Sequence, residues 1–134
     1  MTEKELSKFY WLKKEIKEIE EKLDELGFGL GSPIINDMPK VHDNTSPIEK
    51  LAEKRMQLIE IYIEKRISAL EEHIKIERFI ETIDDPELRM IIRYRHLDLM
   101  KWEDIGKEMI MDRTTVSKKY HKGLEKISHK SHQH

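Results

Sequence analysis

After Pro47 the chain runs to Ile83 without a glycine or proline, and its apolar residues recur at helical spacing throughout. Ser46 and Glu49 form a capping-box pair with Pro47 at the first helical position, so the pattern predicts a helix from there to Ile83. One apolar stripe holds Ala52, Met56, Ile59, Ile63, Ile67, Leu70 and Ile74. A second holds Leu51, Leu58, Tyr62, Ala69, Ile76, Phe79 and Ile83. Propensity alone does not hold a helix of this length in water. Two stripes ask for contact with more than one neighbouring helix. The chain is therefore constrained to an all-α fold in which another helix, from the same chain or a second copy, covers this one.

The nearest candidate partner precedes it. Thr2 and Glu5 have capping-box spacing, and Phe9, Leu12, Ile16, Ile19, Leu23 and Leu26 follow at alternating steps of three and four. Lys13, Lys14, Glu18 and Glu21 fill the other face, and Gly27 and Gly29 stop the helix. The seam is short for a coiled coil, so a hairpin within one chain is an equal reading. Residues 27–46, with Gly27, Gly29, Gly31, Pro33 and Pro39, read as a flexible linker loop long enough for the second helix to fold back on the first. Residues 1–83 are thus expected to form a helical hairpin or coiled-coil arm that self-associates, with a dimer expected.

Asp84, Asp85 and Pro86 mark a restart, with Asp85 as cap. The next helix turns Leu88, Ile91, Ile92 and Leu97 inward and Arg89, Arg93 and Arg95 mostly outward. After a short connection at 98–100, Trp102, Ile105 and Met109 mark a helix, with Gly106 where a partner would approach closely. Ile110 and Met111 make a turn, and Asp112 caps a last helix from Arg113 to about Ile127. In that helix Val116, Tyr120, Leu124 and Ile127 face the core. Residues 84–128 are expected to form a helix-turn-helix domain, and 129–134 a disordered histidine-rich tail.

Charge distribution points to a partner for the last helix. The formal net charge is -2, which by itself argues against nucleic acid. From Arg113 to Lys130, however, six basic residues stand against Glu125 alone, a local charge of +5. The opening turns of such a helix fit the major groove of double-stranded DNA. Arginine there can fork to guanine, and threonine or serine can meet either base edges or a thymine methyl. Lys118, Lys119 and Lys122 can reach phosphates. The expected DNA-contacting set is Arg113, Thr114, Thr115, Ser117, Lys118, His121 and Lys122. Spacing alone leaves this level with a plain solvated basic face.

The residues from Lys101 to Ile127 resemble region four of bacterial primary sigma factors, without a gap. The matching pattern is Glu103-Asp104-Ile105-Gly106-Lys107-Glu108, then Asp112-Arg113, then Leu124-Glu125-Lys126-Ile127. Ile92-Arg93-Tyr94-Arg95 resembles that region's preceding helix. The wider layout is similar to phage late transcription regulators of the autolysin-regulatory-protein type. The resemblance covers roughly the last third of the chain. It implies promoter contact through Arg113, Thr114, Ser117 and Lys118 and activation of phage or prophage late genes. It does not imply a full sigma factor, since no segment looks like the sigma elements that grip polymerase or melt the promoter; host RNA polymerase is a further candidate partner. One departure is Ile110, where the family pattern has a turn glycine. A β-branched residue is a strained choice if that position needs positive φ.

Other classes carry less. The chain has no cysteine, which excludes a disulfide scaffold and a cysteine-based zinc finger. No nucleophile, Walker or dinucleotide motif is present, so no enzyme activity and no cofactor are expected. His121, His129, His132 and His134 lack the frame of a metal site, and no metal is expected. No apolar run approaches the ~20 residues that span a bilayer, and Met1 to Glu5 lacks signal-peptide order. A cytoplasmic, nucleoid-associated protein with no membrane partner is expected. Two alternatives to a regulator remain: a phage terminase small subunit, and a polymerase-binding adaptor with little DNA affinity.

Overall fold

The computed structural model describes residues 1–27 and 47–132. The described residues are helical and contain no strand. The helices are α1 (Glu3–Leu6), α2 (Lys8–Glu25), α3 (Pro47–Glu81), α4 (Pro86–Ile92), α5 (Trp102–Met109) and α6 (Arg113–His132), with a π turn at Arg93–Leu97. The chain divides into two compact units, Leu12–Ser68 and Met1–Trp11 with Ala69–His134. The compact boundary thus falls inside α3, well before the arm boundary expected at 83. Residues 69–83 belong to the C-terminal core because their apolar face, at Ile76, Phe79, Ile80 and Ile83, is buried there. The expected linker lies, apart from Gly27, outside the described residues.

The expected N-terminal helix is divided. Thr2 Oγ1 accepts from Glu5 N at 3.2 Å and caps α1 as its spacing predicts. Ser7 closes that turn, its hydroxyl donating to Lys4 O at 2.9 Å, and α2 starts at the next residue. Gly27, at φ 84°, ends α2 in the left-handed conformation that glycine adopts without a Cβ penalty.

In the Leu12–Ser68 unit, α2 and α3 run antiparallel. Lys65 Nζ reaches Glu15 at 2.6 Å, Tyr62 donates to Glu20 at 2.8 Å, and Arg55 donates to Leu26 O at 2.7 Å. As one partner's number falls the other's rises, which makes a hairpin within one chain. Ile16, Leu23 and Tyr62 are its buried apolar residues. Of the two stripes on α3, the one containing Tyr62, Ala69, Ile76 and Phe79 is buried within the chain. The other is not: Met56, Ile63, Ile67, Leu70 and Ile74 are exposed. Leu51, expected on the inner stripe, is exposed as well.

In the other unit, α4, α5 and α6 close around Ile91, Ile92, Ile105, Val116 and Tyr120, all at or below 1% exposure. Asp85 caps α4, accepting from Glu87 N at 3.0 Å. A wide turn then replaces the regular end of this helix: Asp98 N bonds Arg93 O at 3.0 Å and Met100 N bonds Tyr94 O at 2.9 Å. The extra residue shifts the register, so His96 is buried and Leu97 only half-buried. It also corrects the expected outward course of two arginines. Arg93 is half-buried and donates to both carboxylate oxygens of Glu77, at 2.6 and 2.9 Å, tying the end of α3 to the π turn. Arg95 donates to Met100 O at 3.0 Å and lies 4.6 Å over the Trp102 ring.

Candidate nucleic-acid interface

Two backbone features set the angle between α5 and α6. The first is Gly106. A Cβ there would stand 2.7 Å from Met111 O and 3.4 Å from Arg113 N, so only glycine lets the turn and the start of α6 come this close. The second is Ile110, which ends α5 at φ 54°, ψ 52° with 92% of its surface exposed. Positive φ is thus required at the position where the sigma-like pattern has glycine, and a β-branched residue occupies it. Asp112 then leads into α6, its carbonyl accepting from Val116 N at 3.1 Å.

The core side of α6 is held from three directions. Val116 and Tyr120 are fully buried, and Leu124 and Ile127 half-buried. Tyr120 packs edge-on against Trp102 at 4.9 Å, and its hydroxyl bonds His96 Nε2 at 2.7 Å. Burial, helped by the charge of Arg95, pushes His96 down to about 4, so its imidazole is neutral at pH 7. Burial likewise pushes the Tyr120 hydroxyl well above its ordinary value. The pair is a satisfied polar contact inside an apolar core, which rotates α6 into one orientation. Sequence reasoning missed it, because nothing in the spacing of His96 and Tyr120 announces a π turn. On the α4 side Gly123 receives Leu88: a Cβ would stand 2.5 Å from a Leu88 methyl.

With that side fixed, the opposite side of α6 follows. Arg113, Thr114, Thr115, Lys118, His121 and Lys122 are exposed, and Ser117 is half-buried. Six of the seven expected residues therefore lie on the open part of the helix, with Ser117 at its edge. Among the described residues the side chains of Arg113, Lys118 and Lys122 hold no hydrogen bond or ion pair. Lys119 differs: it pairs with Glu87 of α4, which takes it from the expected phosphate-contacting group. His121 Nδ1 lies 2.7 Å from Ser117 O. A carbonyl can only accept, so Nδ1 carries a proton in this contact.

Two further cations join this surface. Arg95, Lys101, Trp102, Glu103, Arg113, Thr114, Ser117 and Lys118 line one depression. Arg95 and Lys101 come from the π turn and the connection before α5, and both escaped the sequence reading. The available signal was Lys101 at the head of a helix, a position suited to a phosphate contact. The helix α6 itself extends to His132, beyond the expected end at Ile127 and through most of the tail expected to be disordered. Among the described residues no three acidic or histidine side chains gather as a metal site needs, and no helix is long and apolar enough to cross a membrane. Comparison of the chain with protein-family models, curated proteins and solved structures finds no match.

Proposed function

We propose that the chain is a sequence-specific reader of double-stranded DNA that regulates transcription, with α6 as the recognition helix. The observation that carries this reading is the division of α6. Val116 and Tyr120 lock one side into the core while Arg113, Thr114, Ser117 and Lys118 stand open on the other. A guanidinium, hydroxyls and an ammonium at the opening turns of a helix are the groups that read base edges and grip phosphates. Arg95 and Lys101 extend the positive surface to the flanking phosphates. The narrower assignment, an activator of phage or prophage late genes, rests on the likeness of the wider layout to phage late regulators, and a dimer rests on the apolar stripes of the N-terminal arm.

The adaptor reading keeps one supporting observation. Ile110 is a strained, exposed apolar residue at the tip of the turn, a place where a protein partner such as RNA polymerase gains contact. One experiment separates the two. Duplexes are selected from a random-sequence pool on the immobilised protein, and affinity is measured at two salt concentrations. The DNA reader loses affinity steeply as salt rises. Lys118→Ala lowers the salt slope by about one, and Arg113→Ala removes about 1–3 kcal/mol of discrimination at one base pair. Absence of binding at low salt overturns the DNA reading in favour of the adaptor.

A further inference from the structure

Among the described residues, one stripe of α3 carries five exposed large apolar side chains. Met56, Ile63, Ile67, Leu70 and Ile74 range from 46% to 60% exposed, on a helix whose other stripe is buried within the chain. Together with Ile59 they advance by about 3.6 residues per step, the pitch of a straight helix, so they stay on one line. Helical geometry also fixes what flanks that line. Turning 100° per residue puts Glu53, Glu60, Glu64 and Glu71 along one side, and Arg55, Arg66 and His73 along the other. All four glutamates are exposed, as is Arg66.

This asymmetry selects the occupant. When two identical helices pair in parallel about a two-fold axis, each flank meets the opposite flank of its partner; when they pair antiparallel, each flank meets itself. Here the parallel arrangement sets arginine against glutamate: the exposed Arg66 of one copy falls across from Glu71 of the other, and Arg55, half-buried and already donating to Leu26 O, falls across from Glu60. The antiparallel arrangement sets glutamates against glutamates. We infer that α3 pairs with α3 of a second copy of this chain, side by side and parallel, through Met56, Ile63, Ile67, Leu70 and Ile74. The pairing deepens the self-association that the DNA reading calls for, but its test uses no DNA, so the two fail separately.

The chain has no cysteine, which makes direction directly measurable by adding single ones. Sedimentation gives the oligomer over a concentration series, and the expected state is a dimer. Ile63→Glu with Ile67→Glu is expected to raise the dissociation constant at least about tenfold while the helical circular dichroism of the monomer is retained. Met56→Cys and Ile74→Cys are then oxidised separately and as a mixture. Parallel pairing links each variant to itself. Disulfides that form only between the two variants in the mixture overturn the direction. A wild-type chain that sediments as a monomer at every concentration overturns the proposal and leaves the face to a different protein.

Discussion

The two units use apolar residues in different ways. Among the described residues of the unit of Met1–Trp11 and Ala69–His134, thirteen apolar side chains are buried, and the polar pair His96–Tyr120 is satisfied among them. Among the described residues of the Leu12–Ser68 unit, the buried apolar side chains are Ile16, Leu23 and Tyr62, while Met56, Ile61, Ile63 and Ile67 are exposed. Both stretches are rich in isoleucine, so composition does not separate them. The neighbours do: among the described residues α4, α5 and α6 surround one core, whereas in the Leu12–Ser68 unit α2 alone lies along α3. A surrounded side chain contributes stability to the folded chain. A side chain covered on no side contributes only when something binds.

The largest effect should come from cutting at that distinction. Ile76→Ala empties a fully buried site and should cost about 2–5 kcal/mol in denaturant unfolding. Ile63→Ala, half in water, should change the stability of the dilute monomer by less than about 0.5 kcal/mol. Equal losses for the two would break the comparison.

The second effect is a pH dependence confined to the closed unit. His96 holds its neutral form in the fold down to about 4, whereas the unfolded chain takes up the proton near 6.5. As pH falls, the unfolded state therefore binds the proton first. The contribution is fully present above 6.5, declines between 6.5 and 4, and is level below. Between pH 7 and pH 5, where carboxylates titrate little, the expected loss is about 2 kcal/mol. Measured as the difference between wild type and His96→Gln, the slope should vanish in the variant.

Gly106 carries the third. Gly106→Ala places a methyl against Met111 O and the start of α6, and backbone atoms yield less readily than side-chain tips. A loss of about 1–3 kcal/mol is expected, with weaker DNA binding beyond what the stability loss explains. The hairpin unit offers a control. Gly27 ends α2 with its Cβ direction nearly open, 3.9 Å from Arg55, so Gly27→Asn, which keeps the left-handed turn, should be nearly silent in thermal unfolding.

How much of this was legible follows the same division. Helical periodicity made the all-α fold plain, and the caps at Thr2 and Asp85, together with proline at 47, located three helix starts. The open face of α6 was legible because Val116 and Tyr120 recur at core spacing while the cations fall between them. Spacing could show that α3 has two apolar stripes but not which one the chain itself would cover. That depends on the antiparallel pairing of Glu15, Glu20 and Leu26 with Lys65, Tyr62 and Arg55, a long-range match. The π turn was illegible for another reason. Arg93 to Leu97 has ordinary helix formers, and the register shift is imposed by the Glu77 contact of Arg93 and the burial of His96. Arg95, within that turn, and Lys101, after it, line the candidate surface beside the start of α6.

The smallest effect tests whether strain belongs to the interface. The two non-glycine residues at positive φ among the described residues, Leu99 and Ile110, bracket α5. For an L-residue the left-handed conformation costs about 1–2 kcal/mol. Glycine at 110 removes that cost but adds about 0.5–1 kcal/mol of backbone entropy to the unfolded chain. Ile110→Gly should therefore stabilise the protein slightly, by about 0.5–1 kcal/mol in thermal unfolding, since the exposed side chain takes no packing with it. DNA affinity then distinguishes two reasons for keeping isoleucine there. If the turn only orients α6, the variant binds DNA as well as wild type. If the side chain is itself a contact, for a thymine methyl or for a protein, stability rises while binding to that partner falls. A destabilised Ile110→Gly would mean that isoleucine is not strained at this turn, and the departure from the sigma-like pattern would then need another cause.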